Sequence, residues 1–235
     1  NVPNTKSRWI NNYLVEINNT YMNTTTEKLY SNLQLAFDES LDGDTIKLID
    51  ESTITYDINI IADTNVTLDL NGHTLNVNKT INNNGNLKII NSTSNEDSKI
   101  KSAFNINLFT NNGTLEIDGV VINGYNAIVS SSSGTLKINN STITSSNQAI
   151  NNSGILSVDS SSITGTNYAF YNNSTVANTI SNSTLTSNSN AIYKNNSSET
   201  TILNTTIKGS ITNSKSTGIL NITGGETGNT IVGSM

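Results

Sequence analysis

Between Gly113 and Ile222 the chain repeats itself every 20 to 22 residues, a period that few folds can accommodate. The frame is plainest in Asn112-Gly113-Thr114-Leu115-Glu116-Ile117, Ser133-Gly134-Thr135-Leu136-Lys137-Ile138 and Ser153-Gly154-Ile155-Leu156-Ser157-Val158. Five residues after each frame stands another apolar residue: Ile122, Ile143 and Ile163. An Ala followed by a large apolar residue completes the repeat, at Ala127-Ile128, Ala149-Ile150, Ala169-Phe170 and Ala191-Ile192. Self-similarity at such a period marks a solenoid, whose thin layers cannot bury an apolar face alone and must stack.

Taking the second inward residue of each first strand as marker gives Leu48, Leu70, Ile89, Ile117, Ile138, Val158, Ile180, Ile202 and Ile222. The intervals are 22, 19, 28, 21, 20, 22, 22 and 20 residues. The long interval holds Ser94-Asn95-Glu96-Asp97-Ser98-Lys99, which reads as a surface loop. Within a repeat the pattern is apolar-polar-apolar, the alternation of a strand with one buried face. Helix formers such as Ala, Leu, Glu and Lys are sparse after Gly113, and no repeat carries a Leu-x-x-Leu-x-Leu run, which excludes helical and leucine-rich solenoids. The expected fold is all-β: a right-handed parallel β-helix over residues 45–235, with three short strands per coil. About nine coils at about 4.8 Å each make a rod roughly 40 Å long.

Asn occurs 43 times, while charged residues are only 13% of the chain. Asn tolerates left-handed backbone angles and can stack its amides from coil to coil, so it suits solenoid corners. Expected ladder members are Asn152, Asn172 or Asn173, and Asn195 or Asn196. A net charge of −6 with no basic cluster argues against nucleic acid as a partner. No run of 18 apolar residues exists to span a membrane. Cysteine is absent, which removes thiolate chemistry and disulfides. No signal peptide is visible, and the chain opens on Asn1, so an upstream segment and further domains are expected in the full-length protein.

Residues 1–44 differ in kind. Ile10, Leu14, Ile17 and Tyr21 recur at helical spacing, as do Leu29 or Tyr30, Leu33, Phe37 and Leu41. Ser31 and Gln34 have capping-box spacing, and Leu41-Asp42-Gly43-Asp44 supplies a stop. Two helices are expected here, the second forming an N-terminal α-helical cap over the exposed end of the solenoid.

Leu33-Gln34-Leu35-Ala36-Phe37-Asp38-Glu39 followed by Asp42-Gly43-Asp44-Thr45-Ile46 resembles the capping helix and first strand of pectin-lyase-like β-helix proteins. Leu68-Asp69-Leu70-Asn71-Gly72-His73-Thr74-Leu75 and the Asn-Gly-Thr-Leu-x-Ile repeat are similar to phrases of adhesin-like surface proteins of bacteria and archaea. Over roughly residues 29–232, that resemblance implies a rod displayed at the cell surface or secreted, built for presentation or adhesion. Its implied partners are carbohydrate or a host or cell-surface component.

Enzymes of this fold provide a contrast. Pectate lyases resemble one another in using clustered acids for calcium and an Arg or Lys base, but the only arginine here, Arg8, precedes the solenoid. Polygalacturonase-like enzymes set two Asp close together. Beyond Ile106 the carboxylates are Glu116, Asp118, Asp159, Glu199 and Glu226. Asp118 and Asp159 occupy equivalent places with Asn139 between them, about 10 Å apart, too far for a retaining mechanism and marginal for an inverting one. His73, the only histidine, sits in a turn, and Asp57, Asp63 and Asp69 match no calcium-loop spacing. No catalytic residue, metal site or cofactor is expected, and the chain reads as a non-enzyme; the alternative is a glycan-binding or polysaccharide-degrading β-helix.

Two surface patterns remain. Tyr171 and Tyr193 hold equivalent positions one coil apart, with Tyr168 beside them and Tyr125 two coils earlier. Outward-facing rings of this kind bind sugars, so Tyr168, Tyr171 and Tyr193 are the candidate glycan-binding residues. Thr142-Ile143-Thr144, Ser162-Ile163-Thr164 and Thr184-Leu185-Thr186 set hydroxyls on one face, as on ice-binding solenoids, but the ladder ends at Lys208, and strand propensity accounts for it.

Overall fold

A computed structural model describes residues 5–10, 13–93, 98–215, 217–224 and 230–232. From Thr45 onward the chain is a parallel β-solenoid with three faces. The first face runs through Thr45–Leu48, Asn65–Asp69, Asn86–Ile90, Thr114–Asp118, Thr135–Asn139, Ile155–Asp159, Asn178–Ser181, Glu199–Leu203 and Ile219–Thr223. The second face starts at Ser52–Ile54 and the third at Ile58–Ile60. In several later coils a single bent strand, such as Val121–Ser130, Thr142–Asn152 or Thr184–Lys194, serves both. The described residues supply nine parallel strands on each of the first two faces and eight on the third, so about eight turns close where nine were expected.

The repeat frame is in register from coil to coil. Leu115 lies over Leu136 and Ile117 over Ile138. Ile122 lies over Ile143, and Ile128 over Ile150. All of these are fully buried. Each buried Ile or Leu contributes roughly 1.5–3 kcal/mol, so the columns are what hold the rod together. Two positions of the marker series need correction. Leu68, not Leu70, pairs with Ile89, and Leu68 itself pairs with Ile46. The first intervals are therefore 22 and 21 residues. Val66, Leu68 and Leu70 all point inward, and alternation alone cannot say which one aligns with the next coil.

The long interval divides between two corners. Leu75 pairs with Ile100 and Ile81 with Phe109, which places four extra residues before the second face and three before the third. Residues 94–97 of the expected loop lie outside the described residues. Ser98 is buried, with its hydroxyl donating to the His73 carbonyl, and Lys99 already belongs to the strand Lys99–Lys101.

Two corner devices explain the small residues. Six corners between the first and second faces use left-handed angles, at Asn71 with Gly72, Gly119, Asn140, Ser160, Asn182 and Asn204. Gly, Asn and small polar residues tolerate that conformation. Between the third and first faces the Gly of the repeat frame lets the coils touch. A Cβ on Gly113 would lie 2.1 Å from the Gly85 carbonyl oxygen, and one on Gly154 would lie 2.0 Å from that of Gly134.

The N-terminal region departs from expectation. The helix expected through Ile10, Leu14, Ile17 and Tyr21 is absent; Thr5–Ile10 and Tyr13–Asn18 pair antiparallel, and Tyr21–Asn23 is a strand. Tyr21–Asn23 pairs antiparallel with Thr45–Leu48, and Leu29–Tyr30 adds beside it. The ladder edge of the first coil offers unpaired backbone groups, and satisfying them outweighs a helical spacing carried by residues with strand preference. The second helix exists but is short, Leu33–Asp38. Its N-cap is Asn32, whose side-chain oxygen accepts from the Leu35 N–H at 2.9 Å, not the expected Ser31. Leu33, Ala36 and Phe37 are buried, whereas Leu41 is 72% exposed and lies off the helix.

Candidate functional site

The outward row of the third face places Asn151, Tyr171, Tyr193 and Thr212 on consecutive coils. A second row holds Gln148, Tyr168, Asn190 and Ser210. Ala169 and Phe170 between the rows are both buried, so the strand bends there and brings Tyr168 back against Tyr171. The three half-buried rings form one cluster. Tyr171 and Tyr193 stack at 5.1 Å with planes 2° apart. Tyr168 meets them edgewise at 5.1 and 5.6 Å, inclined by 76° and 74°.

That geometry orders the three rings. Rings one coil apart at 5.1 Å cannot lie edge to edge without overlapping, so Tyr171 and Tyr193 turn their faces toward each other along the rod. Tyr168 stands across that pair at nearly equal distances, its plane steeply inclined to both. Tyr125 falls at the register irregularity between Gly124 and Asn126 and is not part of the cluster.

Amides frame the rings. Asn151 donates to Gln148 at 2.9 Å on the coil before, and Thr212 donates to Asn190 at 2.7 Å on the coil after. Beside them runs an amide ladder: Asn126 donates to Asn107 at 2.8 Å, Asn147 to Asn126 at 2.8 Å, and Asn167 to Asn147 at 2.7 Å.

The carboxylates of the first face are engaged in holding coils together. Asp118, Asn139 and Asp159 occupy one row as expected, and the register adds Asp69, two coils before Asp118. Asp69 accepts from the Asn71 and Ser92 N–H groups at 2.9 and 3.0 Å and lies 4.0 Å from Lys47. Asp118 accepts from Asn140 at 3.0 Å. Asp159 accepts from Ser181, Ser160 and Asn182, and these donors, Ser181 first, hold its carboxyl below the usual range. Glu116 pairs with Lys88 at 2.6 Å, which raises the Lys88 amine. His73 lies in the turn after Leu70, its N–H donating to the Leu70 carbonyl at 2.9 Å. Among the described residues no three His, Asp or Glu side chains converge, and Asp57 accepts from the Thr80 N–H. On the second face Thr144, Thr164 and Thr186 stack in register and end at Lys208.

Two interior features escaped sequence reasoning. The first is a hydroxyl chain. Ser141, Ser161 and Ser183 each donate to the carbonyl two residues before, at 2.6, 2.7 and 2.5 Å, and Thr205 does so at 2.9 Å. Each also accepts from the coil beneath: the N–H of Val120, Ser141, Ser161 and Ser183 in turn. A hydroxyl always two residues before Ile143, Ile163, Leu185 and Ile207 was the signal that could have found it.

The second is a buried polar column on the third face: Asn83, Asn111, Ser130, Asn152, Asn172 and Lys194. Asn152 and Asn172 are the expected ladder members turned inward, while Asn173 and Asn195 bond each other outside at 3.3 Å. Asn83 donates to Asn111 at 2.8 Å, but its own side-chain oxygen is buried with no partner, because Ile60 occupies the position beneath. Lys194 is fully buried, its ammonium donating to the Asn196 carbonyl and side-chain oxygen at 2.8 and 2.7 Å. Burial pushes its pKa down.

No protein family, no curated protein and no solved structure matches the chain.

Proposed function

We propose that this protein is a non-catalytic rod of the pectin-lyase-like, adhesin-like kind, displayed at a cell surface or secreted, and used for presentation or adhesion. The observation that carries the reading is the state of its carboxylates. Asp69, Asp118, Asp159 and Glu116 each accept hydrogen bonds or ion pairs that join one coil to the next. General acid–base chemistry needs two titratable groups within reach of one bond, one of them with its pKa moved toward neutrality. Asp159 is moved the other way. The N-terminal strands and the helix Leu33–Asp38, with Leu33 and Phe37 buried beside the first coil, act in this reading as the lid of an otherwise open solenoid end.

The reading is tested by incubating the protein with polygalacturonate and neutral polysaccharides, with and without calcium, while antibodies locate it on intact source cells. Surface labelling without change in polymer length is expected. Release of oligosaccharides, or labelling only after lysis, would refute it.

A further inference from the structure

We infer that the third face around Tyr168 binds a neutral, linear carbohydrate lying along the rod axis, with the Tyr168 ring as the platform for one sugar ring. This rests on the reading of the rod as a non-catalytic adhesion surface and names the ligand that surface would take.

Three observations converge on it. The first is ring geometry. Tyr171 and Tyr193 stack on each other and both meet the Tyr168 ring at a steep angle, so they hold it in place. A ring fixed in that way loses little conformational entropy when a ligand stacks on it. The second is the chemistry around the ring. Gln148 lies one coil before Tyr168 and Asn190 one coil after, both held by the hydrogen bonds to Asn151 and Thr212. Amides that both donate and accept suit hydroxyl groups, while an aromatic face suits the C–H face of a sugar.

The third observation is charge. The two outward rows from Gln148 to Ser210 and from Asn151 to Thr212 contain no ionisable group other than tyrosine. The first face, by contrast, carries Lys88, Glu116, Asp118 and Asp159. An acidic polymer would meet no cation in these two rows and would approach a chain of net charge −6. A protein partner fits poorly as well. None of the exposed large apolar residues, such as Ile155, Val176 or Phe104, lies in these rows, so the tyrosines stand among amides and not in an apolar patch.

The orientation follows from the repeat. Coils rise by about 4.8 Å, a step close to the length of one β-1,4-linked sugar unit. A chain parallel to the rod therefore meets Gln148, Tyr168, Asn190 and Ser210 with successive units, whereas a chain laid across the rod meets one coil only.

Calorimetric titration of the whole protein with β-1,4-linked oligomers of glucose and of N-acetylglucosamine, from two to six units, tests the proposal, with oligogalacturonate as the acidic counterpart. Affinity for one neutral series is expected to rise with length to about four units, one per coil, and then level off. Tyr168→Asn, which places there the residue already present one coil on at Asn190, is expected to weaken binding about tenfold or more, and Tyr168→Phe to retain it. Tyr171→Ala, removing support and not the platform, is expected to cost less than Tyr168→Asn. Thermal unfolding of each variant separates lost binding from lost fold. Absence of binding by both neutral series, stronger binding of the acidic one, or a folded Tyr168→Asn protein with unchanged affinity would overturn the proposal and leave the display reading intact. Cleavage of the oligomers during titration would instead overturn the display reading.

Discussion

Replacing Ser161 by Ala isolates one link of the buried hydroxyl chain. The Ser161 hydroxyl accepts from the Ser141 N–H at 3.1 Å and donates to the Asp159 carbonyl at 2.7 Å, and the residue is 5% exposed. After truncation the Asp159 carbonyl still accepts from the Asn140 N–H at 3.2 Å, so it is not orphaned. The Ser141 N–H is, and one unsatisfied buried donor costs about 1–3 kcal/mol. In a chain of this length that corresponds to a fall in melting temperature of about 2–4 °C per kcal/mol. Two controls bracket the effect. Ser162→Ala removes a hydroxyl from the adjacent position, the first of the following strand, and should change stability by less than about 0.5 kcal/mol. Ser161→Thr keeps the hydroxyl and has a precedent in the chain, since Thr205 holds the same position two coils later. Thermal unfolding followed by circular dichroism ranks the three. If Ser161→Ala melts with Ser162→Ala, or if Ser161→Thr falls as far as Ser161→Ala, the hydroxyl chain does not stabilise the stack as argued.

Gly154→Ala should abolish soluble folded protein, because its Cβ would overlap the Gly134 carbonyl. Gly119→Asn should be nearly neutral, because its corner is open space and the next coils carry Asn140, Ser160 and Asn182 there; expression yield and circular dichroism distinguish them. Lys194 has a depressed pKa in the folded protein, so the unfolded chain holds that proton more tightly and stability rises with pH up to the ordinary lysine range. Lys194→Met should lack that rise, so in urea titrations from pH 7 upward the parent should gain stability relative to the variant; a constant difference between the two would refute it. Asp159 has a pKa lowered by its three donors, so its contribution is present above the ordinary carboxylate range and is lost as pH falls through its folded pKa. An acid titration should therefore show Asp159→Asn losing less stability than the parent between neutral pH and that point.

Much of the rod was legible because a solenoid makes its contacts at a fixed sequence interval. The frame through Leu115, Leu136 and Leu156 names both the inward residues and the residues that lie over them. The outward placement and adjacency of Tyr171 and Tyr193 follow from the same interval. Three things lay beyond it. Register was ambiguous by two residues where a strand has three inward positions, as at Val66, Leu68 and Leu70, since alternation is blind to a shift of two. The N-terminal strands were misread because the partner that decides them, the edge of Thr45–Leu48, is a tertiary neighbour and not a local pattern. The direction of polar side chains was also hidden. Ser161 and Ser162 are adjacent and chemically identical, yet one bonds inside and the other faces out. Likewise, that Tyr168 joins the stacked pair of Tyr171 and Tyr193 depends on a bend at Ala169-Phe170. Because spacing is covalent, the residues that share a column are set along the chain itself; where each side chain points was left to the backbone angles at the corners, which only the stacked coils determine.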